Sequence, residues 1–158
     1  MTKKHPTAKN AVPPQEVEHL FAAGWAALQG GKLSEAEESF LGVLVTVPDH
    51  VDALNGLGTV YFDGKRLDEA QSCHEKALAQ ALTFYKGKMP DHVDWDAPHD
   101  RGLLRALHGL ALVSYRRGDA KDAEKRFSQL VKLNPRDNTG AKFLLADIKK
   151  GRTRWDRE

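Results

Sequence analysis

The apolar positions of this chain fall in a helical rhythm that recurs at a fixed interval. Leu54 and Leu57 precede Gly58, Tyr61 follows, and Ala70 stands in the next segment. Spacings of three and four residues place such side chains on one face of an α-helix. The same arrangement occurs one interval earlier, with Gly24 in the place of Gly58 and Ala36 in the place of Ala70. A third copy follows an interruption, with Leu107, Leu110, Ala111, Ala123, Phe127 and Pro135 in the corresponding slots. The small residues have a mechanical purpose. Gly24, Gly58 and Ala111 sit where the first helix of a pair presses on its partner, and Ala36, Ala70 and Ala123 are the matching surfaces on the second helices. Leu20 and Phe40, Leu54 and Leu57, and Leu107 and Phe127 fill the space around each contact. Two positions depart from the series. His74 stands where Phe40 and Phe127 stand elsewhere, and Leu82 replaces the helix-ending proline seen as Pro48 and Pro135.

Boundary signals agree with this register. Ser34 with Glu37 reads as a capping box, and Asp68 with Gln71 has a related spacing, so both are expected to open second helices. Gly31 and Gly118 supply tight turns, while Pro48 with Asp49 and Pro135 with Asp137 stop one helix and cap the next. The pattern predicts seven helices near 16–29, 34–47, 51–63, 68–87, 101–117, 120–133 and 138–149. They group into a first helix pair over 16–50, a second over 51–84, an inserted loop and helix extension over 85–103, a third pair over 104–137 and a closing helix over 138–149. Phe143, Leu144 and Ile148 are expected to cover the third pair, with Lys142, Asp147 and Lys149 toward water.

Gly24 to Gly58, like Ala36 to Ala70, is a step of about 34 residues, and a helix-turn-helix unit of that period resembles the tetratricopeptide repeat, or TPR. That resemblance implies an all-α, right-handed α-solenoid of three TPR repeats plus a C-terminal capping helix, whose general use is binding rather than chemistry. Three repeats are the minimum for a stable stack, since a single repeat cannot cover its own apolar face. A narrower resemblance covers roughly residues 92–148. There Arg101-Gly102-Leu103-Leu104-Arg105-Ala106-Leu107-His108-Gly109-Leu110-Ala111-Leu112, followed by Leu133-Asn134-Pro135-Arg136-Asp137-Asn138-Thr139-Gly140, is similar to the repeat region of the suppressor-of-tumorigenicity-7 family and similar bacterial proteins. It implies an interaction scaffold, and Gly102 departs from the proline expected at its position.

Composition narrows the remaining classes. The single cysteine, Cys73, supplies neither an internal disulfide nor a multi-cysteine zinc site, and reads as a small apolar residue on a second helix. No run of apolar residues is long enough to span a membrane, and the lysine- and proline-bearing start has no signal-peptide core, which points to a reducing, cytoplasmic setting. The net charge of +2 is unevenly spread: residues 1–15 carry Lys3, Lys4 and Lys9 without an acid, and residues 149–158 carry five basic against two acidic side chains, leaving the body between them at −4. The segments 1–15 and 150–158 are therefore basic tails, the first expected to be disordered. Such tails are compatible with nucleic acid, but a solvated end is the simpler reading.

The interruption is the least generic part of the chain. Ala70 to Ala123 is 53 residues, so 19 have been added to the period. Within it, His92, Asp94, Trp95, Asp96, His99 and Asp100 share one loop. Imidazole and carboxylate suit several metals, yet the spacing matches no metal motif. A loop held by aspartate caps, with Trp95 packed on the extended fourth helix, accounts for the same residues and requires neither metal nor cofactor.

First helices line the concave face of a TPR stack. The register puts Phe21, Trp25 and Leu28 there from the first repeat, Asn55, Thr59 and Phe62 from the second, and Arg105, His108, Leu112 and Tyr115 from the third. This is a groove of rigid aromatics with an arginine, the side chains that most often anchor a partner segment, and the expected partner is a peptide or protein. The alternative is that Phe21 and Trp25 are covered by the chain's own tail or by a second copy, making a homo-oligomer. A carboxylate clamp for acidic chain ends is not expected, because its slots hold Phe21, Trp25, Gly56 and Gly109 with only Arg105 basic. No nucleophile or acid partner stands at a recognisable spacing from His92, His99 or His108, so no enzyme is expected.

Overall fold

In the computed structural model, which describes residues 12–152, the chain is a stack of helix pairs: α1 (Pro14–Gln29), α2 (Leu33–Thr46), α3 (Val51–Asp63), α4 (Leu67–Leu82), α5 (Pro98–Arg116), α6 (Ala120–Leu133) and α7 (Ala141–Lys149). A single 3₁₀ turn, Thr83–Tyr85, prolongs α4, and there is no strand among the described residues. Each first helix packs on its own second helix and on the first helix of the next pair, so α1, α3 and α5 share one face.

The small residues of the repeat pattern lie at these contacts. Ala36, Ala70, Ala111 and Ala123 are fully buried, as are Phe40 and Phe127. Ala36 and Ala70 share one core cluster with Phe40 and Leu57, and Ala111 and Ala123 another with Leu107 and Phe127, which is how a stack of pairs reaches interior packing density. Gly31 and Gly118 make the intra-pair turns at φ of 72° and 81°, a conformation that an added Cβ would strain. The tail expected over 1–15 lies mostly outside the described residues. Within them, Val12 donates its backbone N–H to Thr46 Oγ1 at 2.9 Å, and Pro14 and Gln15 already belong to α1.

Three local expectations are corrected. Neither proposed capping box forms, because α2 and α4 have no side-chain cap. Glu37 accepts from Tyr61 Oη at 3.2 Å and from Arg66 Nη1 at 2.9 Å instead, so a residue read as serving its own helix ties the first pair to the second. His50, not Asp49, caps α3, its Nδ1 accepting from Ala53 N–H at 3.1 Å. In the last helix, Ala141, Leu144 and Ile148 face inward while Phe143 is 62% exposed. The helix starts at 141 rather than 138, since Asp137 and Gly140 take positive φ and fold Asn134–Gly140 into a turn. Asp137 does serve this end, its carboxylate accepting from Lys142 N–H.

The insertion is anchored at both ends and in the middle. Lys86 and Gly87 turn the chain away from α4 at φ of 55° and 78°. Val93 is buried and donates its N–H to the Leu133 carbonyl at 3.1 Å, which pins the loop over the end of α6. Asp100 is the polar anchor: its buried carboxylate accepts from Tyr85 Oη and, at 2.8 Å, from Asp94 N–H. A phenol that donates to a buried carboxylate is held protonated, and burial with this bond pushes Tyr85 up to about 12. His99 stacks on Phe84 with ring centroids 3.7 Å apart.

Candidate functional site

The shared face of α1, α3 and α5 closes into a cavity of about 200 Å³. Seven of the ten residues assigned to the groove from the sequence line it: Trp25, Asn55, Thr59, Phe62, Arg105, His108 and Leu112. They come from three helices that are far apart in sequence, and the stacking of the pairs is what brings them together. The other three lie elsewhere. Phe21 packs against Phe40, Trp25 and His50 at ring-centroid distances of 6.3, 6.3 and 5.1 Å, so it backs Trp25 rather than facing the cavity. Leu28 is half-buried in the apolar core of the first two pairs. Tyr115 is buried against Phe127, and its hydroxyl donates to the Arg152 carbonyl at 2.7 Å, which places it under the closing helix.

Four further residues line the cavity: His74, Trp95, Gly109 and Thr139. Trp95, expected on the extended fourth helix, reaches the groove from the insertion. The Arg105 guanidinium lies 5.6 Å from its ring centre and 6.0 Å from that of Trp25, so the cation stands between two indoles. Arg105 also approaches Asp52, Nη1 to Oδ1, at 3.4 Å. Because both partners are more than a third exposed, this pair is weak and exchangeable.

His74 is the polar centre of the stack. A methyl group on Gly58 would lie 2.6 Å from its Nε2, and one on Gly109 closer still, so the imidazole is clasped between α3 and α5 where only glycine fits. Asn55 orients it. The amide nitrogen of Asn55 donates to the Gly102 carbonyl at 3.0 Å, which turns Oδ1 toward His74 Nδ1 at 3.1 Å and puts the ring proton on Nδ1. Asn55 thus bridges α3, α4 and α5. Burial, and to a smaller extent the repulsion His108 would exert were both rings charged, pushes His74 down to about 4, and it is neutral at physiological pH. This residue carried a sequence signal, since it lies one repeat period after Phe40.

His108 is held down to about 4 by burial, against the opposing pull of Asp137. Its Nε2 is buried without a hydrogen-bond partner, and its ring meets the edge of Phe127 at 5.9 Å. On the far wall, Arg116 lies 4.9 Å over Phe62 and donates to its carbonyl at 2.8 Å, fixing that ring. The site is thus an apolar cleft between two tryptophans, a phenylalanine and a leucine, with neutral imidazoles inside and a cation at its mouth.

A second groove of about 600 Å³ lies on the opposite side, against α2 and α4, lined by residues that include Leu41, Leu44, Leu57 and Cys73. Burial pushes the Cys73 thiol up to about 11, so it packs as a small apolar group and not as a thiolate. Among the described residues no three histidine, cysteine or acidic side chains are grouped as a metal would require. No helix among them is long and apolar enough to cross a membrane.

Comparison with known proteins agrees with the fold. Residues 21–86 match the tetratricopeptide repeat family model. The chain is 27% identical over 148 residues to cellulose synthase 1 operon protein C of Komagataeibacter xylinus, and 28% identical over 138 residues to cellulose synthase operon protein C of the same organism. These alignments cover 94% and 87% of this chain, which spans only 11% and 10% of the two relatives. Among solved structures, the first TPR domain of Spaghetti (RPAP3) bound to the HSP90 peptide SRMEEVD superposes with a TM-score of 0.68 at 18% identity, over 89% of this chain and 98% of that one. The first TPR domain of human RPAP3 gives the same TM-score and identity over 87% and 93%. The chain carries tetratricopeptide repeats, and its fold is an all-α TPR solenoid.

Proposed function

We propose that this array of tetratricopeptide repeats is a non-enzymatic protein-interaction module that takes up a peptide segment of a partner on the face shared by α1, α3 and α5. The observation that carries the reading is the convergence of Trp25, Asn55, Thr59, Phe62, Arg105, His108 and Leu112, from three helices, on one cavity. Aromatic walls with an arginine at the rim are the composition of interaction hot spots. An open cleft with two neutral histidines and no adjacent nucleophile supplies binding, not bond-breaking. The structural neighbour holds an acidic heat-shock-protein peptide, but here Gly56 leaves no room for a side chain, since a methyl group there would lie 2.5 Å from Phe40 Cζ. The partner segment is therefore anchored by apolar contact and Arg105 rather than by a row of lysines and asparagines. A reducing, cytoplasmic setting belongs to the same proposal and rests on composition, with one cysteine in the whole sequence and that one unpaired.

Selection of peptides from a displayed random library tests the reading. Trp25→Ala should weaken the selected peptides by about 2 kcal/mol or more, as truncation of an interface anchor does, while a His92→Ala/His99→Ala variant binds nearly as the parent does. Binding that survives added salt separates this reading from a basic-tail contact with nucleic acid, which salt abolishes. A sedimentation experiment showing a stable dimer that occludes Trp25 would favour self-association instead.

A further inference from the structure

The cleft has two unlike ends. At one, the Arg105 guanidinium already stands between Trp25 and Trp95. At the other, two turns further along α5, the walls are Leu112 and Phe62. Arg116, one turn beyond Leu112, lies over one face of Phe62 and donates to its carbonyl, which holds that residue against the C-terminal end of α5. An occupant of this second end meets an aliphatic side chain and an aromatic ring, a setting that suits a large apolar group.

The chain's own path leads to that end. Gly151, at φ of 66°, turns the backbone off α7, and the Arg152 N–H bonds back to the Asp147 carbonyl at 2.9 Å. The Arg152 carbonyl then accepts from Tyr115 Oη at 2.7 Å, so the chain is delivered to α5 at the residue next to Arg116. Beyond Arg152 the sequence runs Thr153-Arg154-Trp155-Asp156-Arg157-Glu158, in which Trp155 is the one apolar side chain. Three residues span at most about 10 Å, to which an indole adds its own length. Leu112 lies only about 4.5 Å along the helix axis from Tyr115, so the second end of the cleft is within reach. A tether this short presents Trp155 at an effective concentration in the millimolar range. One aromatic contact is then enough to keep the site filled, although a free peptide of the same affinity would leave it mostly empty.

Resting on the binding-groove reading above, we infer that residues 153–158 fold back onto the cleft with Trp155 between Phe62 and Leu112, so that the chain regulates access to its own groove. A partner segment reaches full contact only by displacing Trp155, and its affinity for the intact chain is lowered by the fraction of molecules in which the cleft is occupied. The end held by Trp25, Arg105 and Trp95 stays open, and the partner makes its first contacts there.

The test keeps the full chain and changes Trp155 alone. In the parent, NMR is expected to show nuclear Overhauser contacts from the Trp155 indole to the Phe62 ring and the Leu112 methyl groups. Trp155→Ala should shift those two side chains while the circular dichroism spectrum keeps its helical form. A synthetic peptide of residues 152–158 is the probe. It should shift the same resonances saturably in Trp155→Ala and bind the parent at least about tenfold more weakly, because there the tethered copy holds the site. Trp155→Phe, which keeps an aromatic ring, should restore part of that exclusion. Missing contacts from Trp155 to Phe62 and Leu112, no saturable shift in Trp155→Ala, or equal affinity of the probe for parent and variant each overturns the proposal. Library peptides that depend on Trp25 should bind Trp155→Ala more tightly than the parent. If they bind both alike, the self-contact fails and the groove reading stands. If Trp155 makes its contacts and Trp155→Ala selects no Trp25-dependent peptide, the self-contact stands and the groove reading fails.

Discussion

The two junctions between helix pairs share one geometry and differ in one side chain. At the first, Phe40 is clasped between Gly24 of its own pair and Gly56 of the next; at the second, His74 is clasped between Gly58 and Gly109. Phe40 and His74 stand one repeat period apart, and Gly56 and Gly109 one period plus the insertion, so the two clasps are the same slot. Phe40 fills its slot with hydrocarbon and asks nothing of its neighbours. His74 fills its slot with a ring that must be hydrogen-bonded, and Asn55 and the Gly102 carbonyl are recruited to do so. The first junction is a packing device. The second contributes its own members to the cavity wall, because His74 and Asn55 both line it.

The largest effect that should separate the junctions is Phe40→Ala. Removing a fully buried aromatic ring costs about 3–5 kcal/mol, read from the midpoint of urea unfolding, and the loss should leave Trp25, which contacts the same ring at 5.4 Å, poorly fixed as well. A cost below about 1 kcal/mol, far under that of an ordinary core truncation, would mean that the first junction does not hold the stack together.

Acid should act on the second junction alone. His74 and His108 titrate at about 4 in the fold against an ordinary 6.5, so the unfolded chain binds protons that the native chain refuses. Their contribution to stability is therefore full above pH 6.5 and is lost as pH falls from 6.5 toward 4, by up to a few kcal/mol. His74→Phe should flatten this part of the stability profile, at the cost at neutral pH of leaving Asn55 Oδ1 unpartnered, about 1–3 kcal/mol. An unchanged acid slope in His74→Phe would show that the imidazole is not the group being titrated.

The smallest of the three comparisons sharpens the likeness rather than the difference. Gly56→Ala and Gly109→Ala each drive a methyl group into the clasped ring, and each should cost about 1–3 kcal/mol through overpacking. Unequal melting temperatures would show that one ring has room to retreat and that the slots are not equivalent.

Half of each clasp is legible in the sequence, because the phase of the repeat reports Gly24 and Gly58; Gly56 and Gly109, which close the clasps from the next pair, stand in that reading only as empty slots of a carboxylate clamp. Ala36, Ala70, Ala111 and Ala123 all prove to be buried for the same reason. What the pattern could not show is where an aperiodic segment goes. Trp95 follows a turn at Lys86 and Gly87 and is fixed by Val93 on Leu133 and by Asp100 on Tyr85 and Asp94, contacts between residues whose spacing carries no helical signal. Glu37 misled for a different reason: the spacing that suits a capping box also suits a bridge to the neighbouring pair, and Tyr61 and Arg66 compete for it successfully. Tyr115 shows the limit of a stripe. Extended one turn too far, it leaves the cleft and enters the core beneath α7.

The pinning of the insertion at Val93 has a consequence for how such a chain can change over time. A loop tethered near its middle closes as two short spans, and the entropy of closing a span grows only with the logarithm of its length. Residues can therefore be gained or lost on either side of Val93 at small cost, while the two ends stay fixed by Lys86 and Asp100 and the phase of the helices on both flanks is untouched. Such an arrangement uncouples the inheritance of the scaffold from that of the wall it presents: the stack can be kept unaltered while the segment carrying Trp95 is rewritten, and one solenoid can be retuned to a new anchor residue without being refolded.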